Sequence, residues 1–271
     1  MKNFDLTGKH AVVIGGSGAL GTALCQGLAE AGAAVVVAGR SADAASAAVS
    51  ALPHPQRHFA CSVDTMNKAS LAALCEQAVE RWGRVDILVN AAGGNQPAAT
   101  ASPGSTAFYD LPAEALQEVM HVNWLGTVLA CQVFGQQMAR QGSGCMLNIS
   151  SMAADRPLTR VVGYASAKAA VENFTRWLAV HMAHTAGPDI RVNAIAPGFF
   201  LSNQNRYLLL DAETGALTPR GEQILAHTPM GRFGSPDDLA GAAVWLCSDA
   251  ARFVTGIVVP VDGGFSAYSG V

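Results

Sequence analysis

Two side chains spaced four residues apart could transfer a proton. Tyr164 and Lys168 lie in Tyr-Ala-Ser-Ala-Lys at the start of an alanine-rich stretch, and residues i and i+4 share one face of a helix. The pKa of a free tyrosine is about 10, and a neighbouring ammonium would lower it toward the range of a general base. Ser151, upstream, could hydrogen-bond a substrate oxygen, and Asn123 adds a fourth polar group. Taken alone, however, Tyr-x-x-x-Lys is a frequent coincidence.

A glycine-rich turn near the start of the chain predicts a ligand site of its own. It follows a predicted strand and leads into a predicted helix, so the backbone can approach a pyrophosphate that rests on the free N–H groups of the helix. The G-x-G-x-x-G pattern is weak by itself, and a glycine-rich connection without a ligand is the alternative. Its placement favours a dinucleotide site. The residues predicted to contact the cofactor here are Gly15, Ser17, Gly18, Ala19, Leu20 and Gly21.

The end of the second predicted strand bears on which dinucleotide binds. A carboxylate at this point typically holds the ribose hydroxyls of NAD, whereas an arginine accommodates the 2′-phosphate of NADP. The chain has Gly39, Arg40 and Ser41 here, and no acid. We therefore expect NADP, with NAD as the alternative, because Arg40 could equally be a solvated surface charge.

The elements that must position these residues alternate along the chain. Short β-branched runs separate longer Ala/Leu-rich stretches of helical period, a pattern that indicates a parallel sheet with helices on both faces. We predict one α/β domain over residues 1–271, doubly wound and of Rossmann type, with a seven-stranded sheet. The predicted strands are 11–14, 34–38, 57–61, 87–90, 145–150, 191–194 and 257–260, and the predicted helices are 20–30, 70–82, 113–141, 164–183 and 236–247.

One long stretch, 199–234, fits neither period. It is rich in Asn, Gln, Thr and aromatic residues, and structureless segments of such length are usually functional lids or disordered. We interpret it as a small substrate lid. The helix that follows it has clear start signals, with Ser235 as N-cap, Pro236 at the first helical position and two aspartates in the first turn.

Composition narrows the function further. A net charge of −3 without a basic cluster argues against a nucleic-acid partner. No uncharged apolar run reaches the roughly 18 residues of a membrane span, and Asp5 and Lys9 stand where a signal peptide would be apolar, so we expect a cytoplasmic protein.

The six cysteines lack a C-x-x-C pair and should be reduced packing residues. No metal site is predicted, since His181 and His184 have no third ligand at useful spacing.

Together these motifs resemble the short-chain dehydrogenase/reductase family over nearly the whole chain, from about Leu6 to Phe265. They stand in the family's order and include the glycine-rich turn, Asp64, Asn90-Ala91-Ala92-Gly93, Asn123, Ser151, Tyr164, Lys168, Pro197-Gly198 and Val261-Asp262-Gly263-Gly264. The resemblance implies transfer of a hydride between a nicotinamide cofactor and a carbonyl or secondary alcohol.

The resemblance also implies a role for each matching position. Tyr164 would donate the proton in reduction and accept it in oxidation, Lys168 would lower the tyrosine pKa and hold the nicotinamide ribose, and Ser151 would polarise the carbonyl. Asn123 would anchor a water in a proton relay. The remaining cofactor contacts implied are Asp64 and Thr65 near the adenine, Asn90, Ala91, Ala92 and Gly93 along the cofactor, and Pro197, Gly198, Phe200 and Ser202 near the carboxamide. The chain departs from the pattern at Ile14 and Ala19, where the family usually has threonine and glycine.

The substrate is suggested by resemblance to one branch of the family, the D-mannonate oxidoreductases or fructuronate reductases. The shared stretches run from Asn90 to Pro97, from Pro197 to Arg206, from His227 to Gly234 and from Gly263 to Ala267. A sugar acid needs polar contacts, and we expect them from Asn95 and from Asn203, Gln204, Asn205 and Arg206. Arg206 could pair with the substrate carboxylate, or it could brace the lid. Arg156 and Arg160 are rival candidates. That branch more often has an acid where this chain has Gly39.

Alternative functions remain open. The same chemistry could act on a neutral polyol, a ketose or a small keto acid. A cofactor-sensing protein without catalysis is an alternative of a different class, and the intact Ser151, Tyr164 and Lys168 argue against it.

The charged fraction of 14% is low against the roughly 25% of an average soluble domain. Family resemblance implies that faces of 113–141 and 164–183 are buried between subunits of a homotetramer, with the C-terminal strand region at a second axis.

Overall fold

Seven parallel strands form one sheet in the computed structural model, which describes residues 2–102, 104–202 and 206–270. The sheet order is β3-β2-β1-β4-β5-β6-β7, so the direction of winding reverses between β1 and β4. In doubly wound folds, ligands bind at such a reversal, outside the carboxyl ends of the strands. The predicted fold class and all seven strands are confirmed. The strands are β1 His10–Ile14, β2 Ala34–Gly39, β3 Phe59–Ser62, β4 Ile87–Asn90, β5 Gly144–Ile149, β6 Ile190–Pro197 and β7 Val258–Val261.

Helices cover both faces of this sheet. Alternate strand residues point to opposite faces, so Val13, Val35 and Ile87 join one apolar cluster and Val12, Val36 and Leu88 join the other. Helices α1, α2 and α9 pack on the first face, and α3, α5 and α6 pack on the second. The helices are α1 Ala19–Glu30, α2 Ala42–Ser50, α3 Lys68–Trp82, α4 Ala113–Met120, α5 Gly126–Gln141, α6 Val162–Thr185, α7 Arg206–Leu209, α8 Pro219–Ala226 and α9 Ala240–Cys247.

Two differences from prediction lie next to β2 and β3. Helix α2 was not predicted, because its run of alanines and serines buries only Ala45 and so lacks an apolar stripe. Its start is nevertheless encoded, since the Oγ of Ser41 accepts a hydrogen bond from the backbone N–H of Ala44 at 3.2 Å. The third strand was predicted to begin at Arg57 but begins at Phe59, because Pro55–Arg57 form a turn of 3₁₀ helix.

The predicted helix 113–141 is interrupted. A π-helical turn, His121–Leu125, separates α4 from α5. Such turns insert one extra residue into a helix and are frequent at functional sites. The interruption falls on Asn123, a predicted site residue, which is fully buried.

The stretch 199–234 is more ordered than a loop. It contains α7 and α8, and the backbone of Leu210 pairs with that of Leu217. Thr218 caps α8, because its Oγ1 accepts the backbone N–H of Gly221 at 3.1 Å. Asn203, Gln204 and Asn205, predicted to contact substrate, lie outside the described residues.

Three further expectations concern the helix after the lid, the cysteines and membrane-spanning helices. The helix predicted from Pro236 begins as a 3₁₀ turn, Pro236–Leu239, and continues as α9. All six cysteines are free thiols, five of them buried. Within the described ranges, no helix is both long and apolar enough to cross a lipid bilayer.

Candidate active site

A cleft of about 1010 Å³ opens at the carboxyl edge of the sheet and joins the two sites that the sequence predicts. This volume lies at the upper end of the usual range for ligand pockets. The predicted residues that line the cleft are Gly15, Ser17, Gly18, Ala19, Leu20, Gly21, Arg40, Ser41, Asp64, Thr65, Ala91, Ala92, Gly93, Ser151, Tyr164, Lys168, Pro197, Gly198, Phe200 and Ser202.

The glycine-rich turn is held between two neighbouring strands. The backbone N–H groups of Gly15 and Gly16 both donate to the carbonyl oxygen of Ala38, at 2.8 and 3.0 Å. Gly15 has a φ of +83°, and a Cβ on it would lie 2.5 Å from the backbone nitrogen of Ala92. A side chain at position 15 is therefore excluded both by the backbone conformation and by the chain that follows β4.

The start of α1 presents unused backbone donors to the cleft. Gly18 is the N-cap residue and supplies no capping side chain, and the first hydrogen bond of the helix runs from the N–H of Thr22 to the oxygen of Gly18 at 2.8 Å. The N–H groups of the preceding residues, Ala19 to Gly21, are left outside the bonding of the helix. Together with the positive end of the helix dipole, they fit the pyrophosphate of a dinucleotide.

The end of β2 offers a cation and no carboxylate. Gly39 is buried, and a Cβ on it would lie 2.6 Å from the Oγ of Ser17. Arg40 is exposed, and among the described residues its side chain forms neither an ion pair nor a hydrogen bond. Position 39 thus brings no carboxylate to the cleft, while the Arg40 guanidinium is open to a ligand.

The wall after β3 combines one carboxylate with apolar surface. Asp64 is exposed, and its Oδ1 accepts the backbone N–H of Met66 at 2.9 Å. Val63 and Met66 line the cleft beside it, and sequence reasoning missed both, although apolar residues directly after a strand were a usable signal. The other lining residues that were not predicted as site residues are Ile14, Gly39, Glu118, His121, Val122, Ile149 and Ser150.

Ser151 and Tyr164 meet at the inner end of the cleft. Ser151 follows β5 and begins a 3₁₀ turn, in which its Oγ accepts the N–H of Ala153 at 3.2 Å. Tyr164 stands in the first turn of α6, and its phenol lies close enough to the Ser151 side chain for the two to interact. Neighbouring Ser150 is structural, because its buried Oγ donates to Glu172 Oε1 at 2.9 Å. Only the second of the two serines faces the phenol.

Lys168 lies one helical turn after Tyr164 and is buried. Its Nζ donates to the carbonyl oxygen of Ile149 at 2.8 Å and lies 5.6 Å from the centre of the Tyr164 ring. Burial disfavours the charged ammonium and lowers the pKa of Lys168 to about 8.

The pKa of Tyr164 does not shift in the direction that the sequence predicts. Burial raises the pKa of the phenol, and the hydrogen bond with Ser151 opposes that rise. The Nζ of Lys168 is directed to the Ile149 carbonyl and lies over the ring face, so the expected lowering by an adjacent cation is absent. Removal of the phenolate from water outweighs the local charge in this arrangement.

Asn123 supports the site from behind. Its Nδ2 donates to the carbonyl oxygens of Gly94 at 2.7 Å and Val119 at 2.8 Å, and its Oδ1 accepts the N–H of Gly94 at 3.0 Å. A Cβ on Gly93 would lie 2.5 Å from that Oδ1 and 3.3 Å from the Nζ of Lys168. The π turn therefore places the Asn123 amide against the chain after β4, next to Lys168, without bringing it into the cleft wall.

Asn90 was predicted as a cofactor contact, but its side chain turns into the core. Its Nδ2 donates to Asn148 Oδ1 at 2.9 Å, and Asn148 Nδ2 donates to Thr175 Oγ1 at 2.9 Å. All three residues are buried. These bonds tie β4, β5 and α6 together, so Asn90 positions the cleft and does not line it.

The predicted substrate residues are less well placed. Asn95 is exposed and its Nδ2 donates to Thr100 Oγ1 at 2.7 Å, and Arg206 is exposed at the first position of α7. Neither lines the cleft. Of the rival arginines, Arg156 is engaged with the Ser266 carbonyl at 3.0 Å and with Asp155, whereas Arg160 is half-buried.

The geometry fits an extended dinucleotide. A cofactor that begins beside Arg40 would cross the free N–H groups of α1 and end near Lys168, where Ser151 and Tyr164 can hydrogen-bond one oxygen atom of a second molecule. A hydroxyl donor and a titratable phenol at a single oxygen are the groups needed to interconvert a carbonyl and an alcohol, provided that a hydride donor or acceptor lies alongside.

The chain is similar to known proteins over nearly its full length. A family model described as enoyl-(acyl carrier protein) reductase matches residues 16–266. The chain is 44% identical over 278 residues to an uncharacterized oxidoreductase, UxuB, of Bacillus subtilis (strain 168), and the match covers 98% of each chain. The family model and the Bacillus subtilis protein are what this chain is similar to.

Two solved structures are similar over almost their full length. One is a protein provisionally named D-mannonate oxidoreductase from Haemophilus influenza with bound NAD, which has a TM-score of 0.89 and 40% identity, and the match covers 98% of each chain. The other is a gluconate 5-dehydrogenase from Burkholderia cenocepacia J2315 in complex with NADP and tartrate, with a TM-score of 0.86, 30% identity and again 98% coverage of each chain.

The shifted pKa of Lys168 can be measured directly. We expect its Nζ to titrate with a pKa of about 8, because burial penalises the ammonium, so the amine takes up its proton as the pH falls through that value. NMR of isotopically labelled lysine side chains would follow the titration, and Lys168→Met would identify the resonance by its disappearance. A Lys168 signal that titrates near ~10.4, as free lysine does, would contradict the burial argument.

Proposed function

Because the chain belongs to the short-chain dehydrogenase/reductase family, we propose that it is an NADP-dependent oxidoreductase that interconverts a keto group and a secondary alcohol of a sugar acid of the D-fructuronate/D-mannonate type. The observation that carries the chemistry is the meeting of Ser151 and Tyr164 beside buried Lys168 at the inner end of a dinucleotide cleft.

Each of these side chains has a task in the proposed reaction. A nicotinamide dinucleotide bound in the cleft supplies or removes the hydride. Ser151 hydrogen-bonds the reacting oxygen and orients it, and Tyr164 gives that oxygen a proton in reduction and takes it back in oxidation. Lys168 would hold the nicotinamide ribose, and its lowered pKa of about 8 lets its amine exchange a proton near that pH. Asn123 fixes the backbone at Gly94, which borders this end of the cleft.

Relatives and local chemistry support a sugar acid as the substrate. Two similar structures have been named for oxidoreductases of this substrate class. We propose that the segment 199–234, with α7 and α8, is the substrate lid, and that Arg206 at the start of α7 contributes to binding the carboxylate. A guanidinium forms charge-assisted, often bidentate bonds to such a group.

The preference for NADP is supported by the end of β2. Gly39 supplies no carboxylate to hold the ribose hydroxyls of NAD, and the Ser17 hydroxyl stands where a side chain at position 39 would begin. Arg40 is exposed, and none of the described residues neutralises it, so its charge is available to the 2′-phosphate.

We also propose that the protein is a homotetramer. Helix α6 carries exposed apolar side chains, with Trp177 at 57% and Val180 at 58% exposure. Trp177 stacks on His181 at 4.8 Å and on Phe174 at 6.3 Å between ring centres, so it is held in a fixed orientation. A flat aromatic surface of this kind on a long helix is well suited to packing against the same helix of a second copy.

Tyr164→Phe tests the catalytic proposal. Loss of the phenolic proton should lower turnover of sugar acids in both directions by about 10²- to 10⁴-fold, the usual contribution of a general acid or base, while binding of NADPH is retained. The measurement is steady-state kinetics with D-fructuronate and D-mannonate, with fluorescence titration of NADPH. Tyr109→Phe, at an exposed tyrosine, is the matched control. Unchanged turnover in Tyr164→Phe would refute the assignment.

Arg40→Ala tests the cofactor preference. A hydrogen bond to a charged group contributes about 1.5–3 kcal/mol, so we expect NADP to bind roughly ten- to hundredfold more weakly and NAD to be little affected. Arg252→Ala removes an exposed arginine outside the cleft and should leave both constants unchanged. A native enzyme at least tenfold more efficient with NAD than with NADP, in kcat/KM, would overturn the preference.

Light scattering tests the assembly. We expect a mass four times the 27.9 kDa of one chain, and Trp177→Glu should shift the protein to smaller species because it places a charge in an apolar contact. Tyr109→Glu, on another exposed aromatic residue, should leave the mass unchanged. A monomeric native protein would contradict the proposal.

A further inference from the structure

A carboxylate lies buried one helical turn after Lys168, and no step of the proposed reaction involves it. Glu172 is 8% exposed and is the one acidic residue in the sequence of α6. Carboxylates are almost never buried without partners, because removal from water costs the charged form free energy. The partners of Glu172 therefore indicate what its burial achieves.

Both oxygens of this carboxylate are engaged, in different ways. Oε2 lies 3.3 Å from Nη2 of Arg176, whose side chain is half exposed. Oε1 accepts the hydroxyl of Ser150 at 2.9 Å, and Ser150 is 2% exposed. The same hydroxyl lies 3.4 Å from the carbonyl oxygen of Lys168. A hydroxyl donates a single hydrogen, so the shorter bond to the charged acceptor is the stronger of the two.

Helix α6 contacts three successive residues, 149–151, at the end of β5. Tyr164, Lys168 and Glu172 lie four residues apart and so line one face of the helix. The contacts are those of Lys168 Nζ with the Ile149 carbonyl oxygen at 2.8 Å, of Glu172 Oε1 with the Ser150 hydroxyl at 2.9 Å, and of the Tyr164 phenol with the Ser151 side chain. A change in the middle contact would therefore move the two outer ones.

Ser150 is held from two sides. Its backbone N–H donates to the carbonyl oxygen of Ile195 in β6 at 2.8 Å, and its side chain is bonded to α6. The bond to β6 fixes where the end of β5 lies within the sheet. The bond to Glu172 fixes how far α6 stands from that end.

A neutral pair makes a similar connection one turn farther along α6. Asn148 Nδ2 donates to Thr175 Oγ1 at 2.9 Å and ties β5 to the helix without a charge. A carboxylate costs more to bury than a hydroxyl, so attachment alone does not account for Glu172. The charge adds strength, because charge-assisted hydrogen bonds are shorter than neutral ones and about twice as strong. The stronger bond stands beside the reacting groups.

We propose that Glu172 is a positioning residue, which through Ser150 sets the distance between α6 and the end of β5. That distance determines how Tyr164 and Lys168 face Ser151. Reacting groups must be held within about 0.5 Å of their productive geometry. The role rests on the proposed function, since it serves the same proton transfer, and extends it to a side chain outside the cleft wall.

Removal of the bond from either end tests this role. Glu172→Met keeps most of the side-chain volume without the acceptor, and Ser150→Ala removes the donor. Each should lower kcat for reduction of D-fructuronate with NADPH by about tenfold or more, since a misplacement of about 1 Å can cost 10²-fold, and KM should change much less. Glu172→Gln retains an acceptor oxygen and should recover part of the loss. The double variant should lose little more than the worse single variant, because both changes remove one bond.

Two controls separate positioning from general stability. Ser248→Ala removes another buried serine hydroxyl, which donates to the Trp245 carbonyl oxygen at 2.9 Å outside the cleft wall. It should lower the melting temperature and leave kcat near the native value. Arg176→Met removes the partner of Oε2 but keeps the bond to Ser150, and should also leave kcat near native. Circular dichroism checks that each variant is folded, and Ser150→Ala, the milder change, keeps the test decisive if Glu172→Met folds poorly.

The titration of Lys168 gives a readout that needs no substrate. In Glu172→Met and Ser150→Ala, the Ile149 carbonyl and the Lys168 amine should no longer meet as in the native protein. The pKa of Lys168, measured by NMR, should then depart from its native value by about half a pH unit or more. Neither control should change it.

The possible outcomes distinguish the positioning role from the proposed function. Native kcat in Glu172→Met and Ser150→Ala, an equal loss in Ser248→Ala, or no recovery in Glu172→Gln would overturn the role, even if sugar acids are turned over. If the native enzyme turned over no sugar acid, the titration alone would decide. A change in the Lys168 pKa confined to the two test variants would then support the role while the proposed function falls, and an unchanged pKa would overturn the role as well.

Discussion

A line of buried amide and hydroxyl groups from Asn90 through Asn148 to Thr175 fixes the geometry on which the active site depends. Each of these residues stands just before or within a segment that carries function. Asn90 precedes the chain against which the glycine turn packs, Asn148 precedes Ser151, and Thr175 shares α6 with Tyr164. A buried amide left without its partner costs about 1–3 kcal/mol, so β4, β5 and α6 cannot shift independently.

Local charge matters more to this site than the charge of the whole chain. The chain carries a net charge of −3, yet the cations Arg40 and Lys168 line the cleft together with the carboxylates Asp64 and Glu118, and among the described residues neither cation forms an ion pair. Both proposed ligands, a phosphorylated dinucleotide and a sugar acid, are anions. The positions of these few charged groups therefore matter more to an anionic ligand than the sum over the sequence.

The sequence predicts the structure correctly where a residue type favours one particular backbone structure or position. The glycine turn, the strands of β-branched residues and the order of the polar motifs led to the correct sheet and to most of the cleft wall. It failed where the outcome depended on tertiary contacts. Helix α2 has no apolar stripe, the side chain of Asn90 turns to Asn148, and Asn95 bonds to Thr100. The pKa of Tyr164 depends on burial, which a four-residue spacing does not report.

The π turn at His121–Leu125 has a consequence for the evolution of this chain. Because it holds one residue more than an α-helical turn, α5 continues out of phase with α4 by about 100° of rotation. Deleting a single residue there would give a better helix, with every later side chain of α5 facing the sheet as before, but it would turn the Asn123 amide away from Gly94. A deletion that repairs the helix would therefore keep the architecture and remove this support of the cleft.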